Sequence, residues 1–431
     1  MVRWHPAALA VVIAIGLVAC GSGDKSGTEG GARGSRRFGT IASPCGPGRA
    51  SGATQLGVTD STITIGFGDD SAAASSPGLN VEMSEAIRAM IDWCNEQGGI
   101  EGRRLVGDEH DAAINDVETA MRSACARDFM LVGQGWLLDD AQERTRLACS
   151  LATVPTFAVS ERFATAPLMV QPSPDPPESV NAAGAFLLAA AYPTKVRRAA
   201  TMQGNQPTAR AETARVVGAF EQAGWQFLPC GQEYNIGGEA NWVPFVQRLK
   251  DCGAEVVHFS GSMRPTFEEI LRAARAIGFD PIWMQDASVY DSDLAAWNSE
   301  GLADNVHFQM TYYPFEQADR VPAVADYLDI MRAAGAPAGL LGAQAVAAFL
   351  LWAEGAKACG SDLTSDCVMR VLKNVSNYDA GGLQSPTNPG ANLPGNCAMV
   401  LRVRGTRYEQ VLPSDIATQA CDRTYRVSVG R

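Results

Sequence analysis

Short apolar runs and amphipathic stretches alternate along most of this chain. Thr62-Ile-Thr-Ile-Gly-Phe67 is a β-branched run with strand character, and 129–132 and 154–159 are two more. Between them, residues 82–97 and 139–150 carry apolar positions at helical spacing, and Gly98-Gly99 closes the first helix. Pro172-Ser-Pro-Asp-Pro-Pro177 is the heaviest breaker cluster, since proline at that density stops helix and strand alike. The alternation then restarts. Helices are predicted over 178–191, 206–223, 240–251, 266–277 and 291–299, and strands over 197–202, 225–234, 255–260, 281–285 and 305–311. Two helices, 321–334 and 340–358, lead into a Gly/Pro/Asn-rich stretch at 377–396. A hairpin of 399–403 and 408–412 turning at Arg404-Gly405-Thr406 comes last.

Strands separated by helices of this length make βαβ units on parallel sheets. Two such runs flanking a proline break predict an α/β chain with two doubly wound lobes. The domain plan is a 1–19 leader, a flexible Gly/Ser/Ala/Arg tether over 20–55, and lobe 1 over 56–171 plus 315–375. Lobe 2 then takes 176–310 plus 380–415, and a short tail takes 416–431.

Residues 1–19 combine Arg3 with a short apolar core, Ala7 to Leu17, and describe an export signal. Cleavage there would change the net charge from −12 to −13 by removing Arg3. An acidic chain without a basic run excludes nucleic acid as a partner. Outside Cys20 there are ten cysteines: 45, 94, 125, 149, 230, 252, 359, 367, 397 and 421. An even number in an exported chain predicts disulfides, with Cys359 and Cys367 as the local pair and the remaining connectivity open. No Cys-x-x-Cys occurs and the four histidines are scattered, so no metal is expected; no glycine fingerprint predicts a cofactor. Gly-x-Ser-x-Gly is absent, His258 lies inside an apolar strand, and Asp69-Asp70 are read as solvated loop neighbours, so no enzyme is expected.

Leu17-Val18-Ala19-Cys20-Gly21 resembles the lipobox of bacterial lipoproteins, which implies lipidation of Cys20. The run Gly57-Val-Thr-Asp-Ser-Thr-Ile-Thr-Ile-Gly66 opens a wider resemblance. It continues through Asp92-Trp93, Asn95, Gly98-Gly99-Ile100, Gly102-Arg103, Leu271-Arg-Ala-Ala-Arg-Ala-Ile-Gly278 and Pro281-Ile-Trp-Met284. Together these are similar to the branched-chain-amino-acid-binding branch of the type I periplasmic binding proteins, receptors of ABC importers. The resemblance implies a monomeric, extracytoplasmic protein held to the membrane by its lipid alone. It would close two lobes on a small molecule and hand it to permease subunits. A sensory lipoprotein on the same fold is the alternative. The lobes would join through three crossovers near 171–177, 311–316 and 375–381.

Ligands of open α/β sheets sit beyond the carboxyl ends of the strands. That rule and the resemblance nominate Gln134, Gly135, Trp136, Ser160, Arg162 and Phe163 in lobe 1, and Asn205, Met263, Asp286 and Tyr290 in lobe 2. Gly135 would admit the ligand to the main chain, with Ser160 and the Gly135 amide holding a carboxylate or similar group. Trp136 would form a flat wall, or else pack against the next helix. Arg162 would anchor an anion, or else be a solvated loop arginine. One of Tyr312 and Tyr313 would face the cleft; Tyr312 is taken as the candidate. Where amino-acid binders carry an acid for the ammonium, this chain aligns Ala287, with Asp286 one residue earlier. The expected ligand is therefore amino-acid-like or an apolar compound with one polar or acidic end.

Overall fold

The computed structural model describes residues 37–430 apart from 75, 262, 263, 286 and 291. The export signal, Cys20, Met263 and Asp286 lie outside the described residues.

The chain enters through a small antiparallel turn, β1 (Arg37–Phe38) with β2 (Ile41–Ala42). This corrects the expectation of a tether reaching residue 55. Phe38 is fully buried, edge-on to Trp93, and Thr40 N donates to Gly381 O at 2.9 Å. A disulfide joins Cys45 to Cys94. Gly46 N donates to Gly99 O (2.7 Å) and Ala50 N to Glu101 O (3.0 Å). Arg103, 1% exposed, spends its guanidinium on the carbonyls of Thr59, Gly360, Ser51 and Gly52 at 2.6–3.0 Å. Side-chain composition misses this arm because main-chain groups and one disulfide hold it.

Lobe 1 runs β3 (Thr62–Phe67), α1 (Val81–Asn95), β4 (Arg104–Glu109), α2 (Val117–Arg127), β5 (Met130–Val132), α3 (Glu143–Ala148), β6 (Thr153–Val154) and α4 (Glu161–Ala164). The strands are all parallel in the order β4-β3-β5-β6. Neither β4 nor α2 was predicted, and the strand expected over 154–159 shrinks to two residues. In α1, Met83, Ala86, Ile87, Met90, Ile91 and Cys94 recur every three or four positions and are buried. Gly99 ends it at φ +76, where a Cβ would lie 2.0 Å from Arg103 O.

Lobe 2 begins with β7 (Ser179–Asn181), where a helix was expected, and continues through α5 (Ala183–Ala191), β8 (Ala199–Gly204), α6 (Pro207–Gln222), β9 (Gln232–Tyr234), α7 (Val243–Asp251), β10 (Val256–Ser260), α8 (Arg264–Ala276), β11 (Ile282–Gln285), α9 (Ser292–Trp297) and β12 (Val306–Met310). The chain returns to lobe 1 as α10 (Pro322–Ala334), α11 (Leu340–Cys359) and α12 (Ser365–Leu372), then comes back as the hairpin β13 (Cys397–Arg404) and β14 (Arg407–Leu412). The sheet order is β14-β13-β12-β11-β10-β8-β9, with β8 to β12 parallel and the hairpin antiparallel. Residues 416–431, expected to be a tail, carry β15 (Ala420–Cys421) against β13 and β16 (Arg426–Ser428) against β7.

Helices cover both faces of this sheet. Val257 and Phe259 pack with α7 and α8, while Val256 and Met284 face α5 and α6. Five disulfides are formed: Cys45–Cys94, Cys125–Cys149, Cys230–Cys252, Cys359–Cys367 and Cys397–Cys421. Among the described residues no helix is long and apolar enough to cross a membrane.

Candidate functional site

The loops after the strands of both sheets define where a ligand can be held, and their polar groups show how each loop is fixed. In lobe 1, Asp69 and Asp70 follow β3 and are fully buried, which corrects their reading as solvated neighbours. Asp70 accepts from Ile114 N at 2.8 Å and Leu137 N at 2.7 Å, tying the loops after β4 and β5 to its own. Burial raises both carboxyls above the usual range. Asp139 accepts from Val159 N (2.6 Å) and Ser160 N (3.0 Å); burial pushes its pKa up to about 6.

These ties use up groups the sequence reading assigned to a ligand. Gln134 is buried, its amide paired with Thr153 Oγ1 at 2.7 Å. Gly135 N donates to Gly68 O at 3.1 Å, so that amide is not open to a carboxylate. The side chain that requires glycine there is Phe157, whose ring would lie 2.6 Å from an added Cβ. Trp136 is 1% exposed and packs with Val117, Met121 and Ala124, its Nε1 donating to His110 O at 3.3 Å; it takes the packing alternative. Ser160 Oγ caps α4 by accepting from Phe163 N at 3.2 Å. Phe163 is buried against the Arg146 guanidinium, and Arg162 is exposed 3.5 Å from Asp140, the solvated-arginine alternative.

In lobe 2, Asn205 is exposed at the end of β8. Tyr290 is 1% exposed; its hydroxyl donates to Glu316 Oε2 at 2.7 Å and accepts from Phe315 N at 2.6 Å, fastening the loop after β11 to the second crossover. Tyr312 is buried as well, whereas Tyr313 keeps exposed surface. Of the candidates the structure describes, Ser160, Arg162 and Asn205 retain surface, and Phe157 was overlooked beside them.

The three crossovers meet in one hydrogen-bond cluster. Ser173 of the first lies 3.0 Å from the Tyr312 hydroxyl of the second and donates to Gln384 Oε1 of the third at 3.0 Å. Gln384 Nε2 and Thr387 Oγ1 donate back to Pro172 O at 3.0 and 2.6 Å. Ser385 N donates to Thr311 O at 2.6 Å. The proline cluster marked the first crossover in the sequence, but its polar partners lie some 140 and 210 positions away.

Beside this cluster a cavity of 290 Å³ opens between α6, the α6-facing side of β10–β12 and the crossovers. Arg215 on its α6 wall is bonded to Asp175 at 2.7 and 2.8 Å and to Glu212 at 2.8 and 3.0 Å, and the two acids raise its pKa against the opposing effect of burial. His258 also lines it, neutral, with burial pushing its pKa down to about 4.

Residues 62–407 match the family model described as periplasmic binding protein. A comparison with curated proteins gives no match. Among solved structures, a branched-chain amino acid ABC transporter protein from Thermus thermophilus with bound valine aligns at TM-score 0.69 and 14% identity, covering 85% of this chain and 98% of that one. A fatty acid ABC transporter substrate-binding protein from Thermomonospora curvata aligns at TM-score 0.67 and 14% identity, covering 85% and 97%. A branched-chain amino acid transporter substrate-binding protein from Streptococcus pneumoniae in complex with isoleucine aligns at TM-score 0.66 and 13% identity, covering 81% and 99%.

Proposed function

The chain belongs to the periplasmic binding protein family, with the type I fold, and from that membership we propose that it captures one small molecule between its lobes and delivers it to an ABC importer. The family works outside the cytoplasm; anchoring through lipidated Cys20 completes the proposal for where it acts. Capture would proceed by hinge closure about the three crossovers.

The observation that carries the reading is the Ser173–Tyr312–Gln384 cluster, which ties one residue from each of the three segments that join the lobes. Joined there, the lobes would share one pivot, and the loops that carry Phe157 and Ser160 on one side and Asn205 on the other are the surfaces that would meet the solute.

For the ligand we propose an apolar compound with a single polar end. Gly135 N, Ser160 N and the Gln134 amide are already paired within lobe 1, so that side offers the half-buried Phe157 ring in place of polar anchors. Affinity would then come from buried apolar area, about 25 cal/mol per Å². A thermal-shift panel tests this, since a ligand at 100 times its dissociation constant stabilises by roughly 2.7 kcal/mol. Medium-chain acids and amides are expected to shift the midpoint, with leucine, isoleucine and valine giving less. Clear stabilisation by the branched-chain amino acids, lost in Asp286→Ala, would overturn the ligand class.

A further inference from the structure

Among the described residues, the 290 Å³ cavity behind the strand tips of lobe 2 is lined by none from lobe 1's sheet or helices. Its walls come from β7, from α6, from the β10, β11 and β12 region, and from all three crossovers. At that size it sits just under the usual range for small-molecule pockets, roughly 300–1,000 Å³, and far above the space one water needs.

Its polar lining is not self-satisfied. Gln285 is 2% exposed and its Nε2 donates to Gly261 O at 2.7 Å, while Oε1 has no partner among the described residues. Ser385, 1% exposed, has an unpartnered Oγ among the same residues, and so does His258 at Nδ1. Buried polar atoms left this way are costly, and each calls for an occupant that bonds to it. Phe220, Val216, Met284 and Ala287 supply apolar wall between them.

Charge decides what kind of occupant fits. Arg215 is the cation of the lining, and its forked donors are spent on Asp175 and Glu212, two carboxylates against one guanidinium. The local excess is negative, so a carboxylate meets repulsion and finds no free cation among the described residues of the lining. A neutral group with N–H or O–H donors meets the acceptor Gln285 Oε1 and the versatile Ser385 Oγ.

We propose that this cavity is a second small-molecule site, separate from the solute site between the lobes, and that it takes a compact uncharged compound with an apolar flank and a hydrogen-bond-donating end. Because residues of all three crossovers form part of its wall, an occupant would lie beside the segments that join the lobes.

Benzamide and benzoate provide the test, being nearly isosteric and different by one charge. The protein is labelled with ¹³C at its methionine methyls, and the Met284 signal is identified by its loss in Met284→Leu. Benzamide is expected to shift that signal saturably, with benzoate at least ten-fold weaker. Ser385→Ala removes a hydroxyl that bonds to no described residue and is expected to weaken benzamide about five-fold, from the net worth of one hydrogen bond. Gln285→Leu gives an independent second variant, and the remaining methionine signals report that each protein is folded. No shift with benzamide, equal binding of benzoate, or wild-type affinity in both variants would each overturn the proposal. Outcomes here are independent of whether the solute panel finds a ligand.

Discussion

Removing the disulfide between Cys45 and Cys94 tests whether the entry arm is part of the folded body. The two cysteines are 49 positions apart, and both are buried. In the chain-entropy description, cross-linking a loop of about 50 residues takes about 14 cal/mol/K from the unfolded ensemble, or ~4 kcal/mol at 25 °C. Cys359–Cys367 closes a separation of 8 and serves as an internal reference, where the same relation yields ~2.5 kcal/mol. Cys45→Ala/Cys94→Ala is therefore expected to lose ~1.5 kcal/mol more than Cys359→Ala/Cys367→Ala. The noncovalent fastenings by Arg103 and Phe38 remain in both variants. Urea unfolding measures the two losses. Limited trypsin digestion localises the first, because Arg49 is exposed yet its neighbour Ala50 donates its main-chain N–H to Glu101 O, so the Arg49–Ala50 bond is cut only when the arm lifts. Equal urea midpoints for wild type and Cys45→Ala/Cys94→Ala, or rapid cleavage at Arg49 in the oxidised wild type, would refute the reasoning and restore the arm to the tether.

Gly135→Ala puts a Cβ 2.6 Å from the Phe157 ring and is expected to cost about 1–3 kcal/mol; a melting series in which Phe157→Ala fails to recover any of this would show that the ring is not the obstacle. His258 has a folded pKa of about 4, below the free value of 6.5, so its contribution is complete above pH 6.5 and is lost as pH falls towards 4. The stability difference between wild type and His258→Gln should thus shrink by about 3 kcal/mol from pH 7 to pH 4. The carboxyls of Asp128 and Asp139, pushed up to about 6, act with the opposite sign but are common to both proteins and cancel; a pH-independent difference would contradict the assignment. Tyr312→Phe removes one hydroxyl from the cluster joining the crossovers and should cost about 1 kcal/mol while changing ligand affinity in the thermal-shift assay; unchanged affinity would count against a shared pivot.

The alternation of strand and helix, the proline break at 172–177 and the helical spacing of α1 are local patterns, repeated often enough to survive errors at individual boundaries. The sequence was therefore sufficient for a two-lobed parallel α/β fold. It was also sufficient to expect the ten cysteines outside Cys20 to pair, because parity and export need no geometry. β4 was missed for want of internal periodicity: it reads Arg-Leu-Val-Gly-Asp-Glu, four of its six residues are exposed, and it takes its strand character from pairing with β3 along six residues.

The site was much less legible. That Gln134, Gly135 and Trp136 follow a strand is visible in the chain, but which way each group points depends on partners far away: Thr153, Gly68 and His110. Asp69 and Asp70 look like solvated acids until the loops after β4 and β5 fold over them. The cavity wall needs Arg215, Gln285 and Ser385 brought together from three parts of the chain. Periodicity reports which face of an element is apolar, a property of neighbours in sequence. Whether a polar group is free for a ligand is decided by hydrogen bonds closed across long separations, and only the tertiary structure determines those.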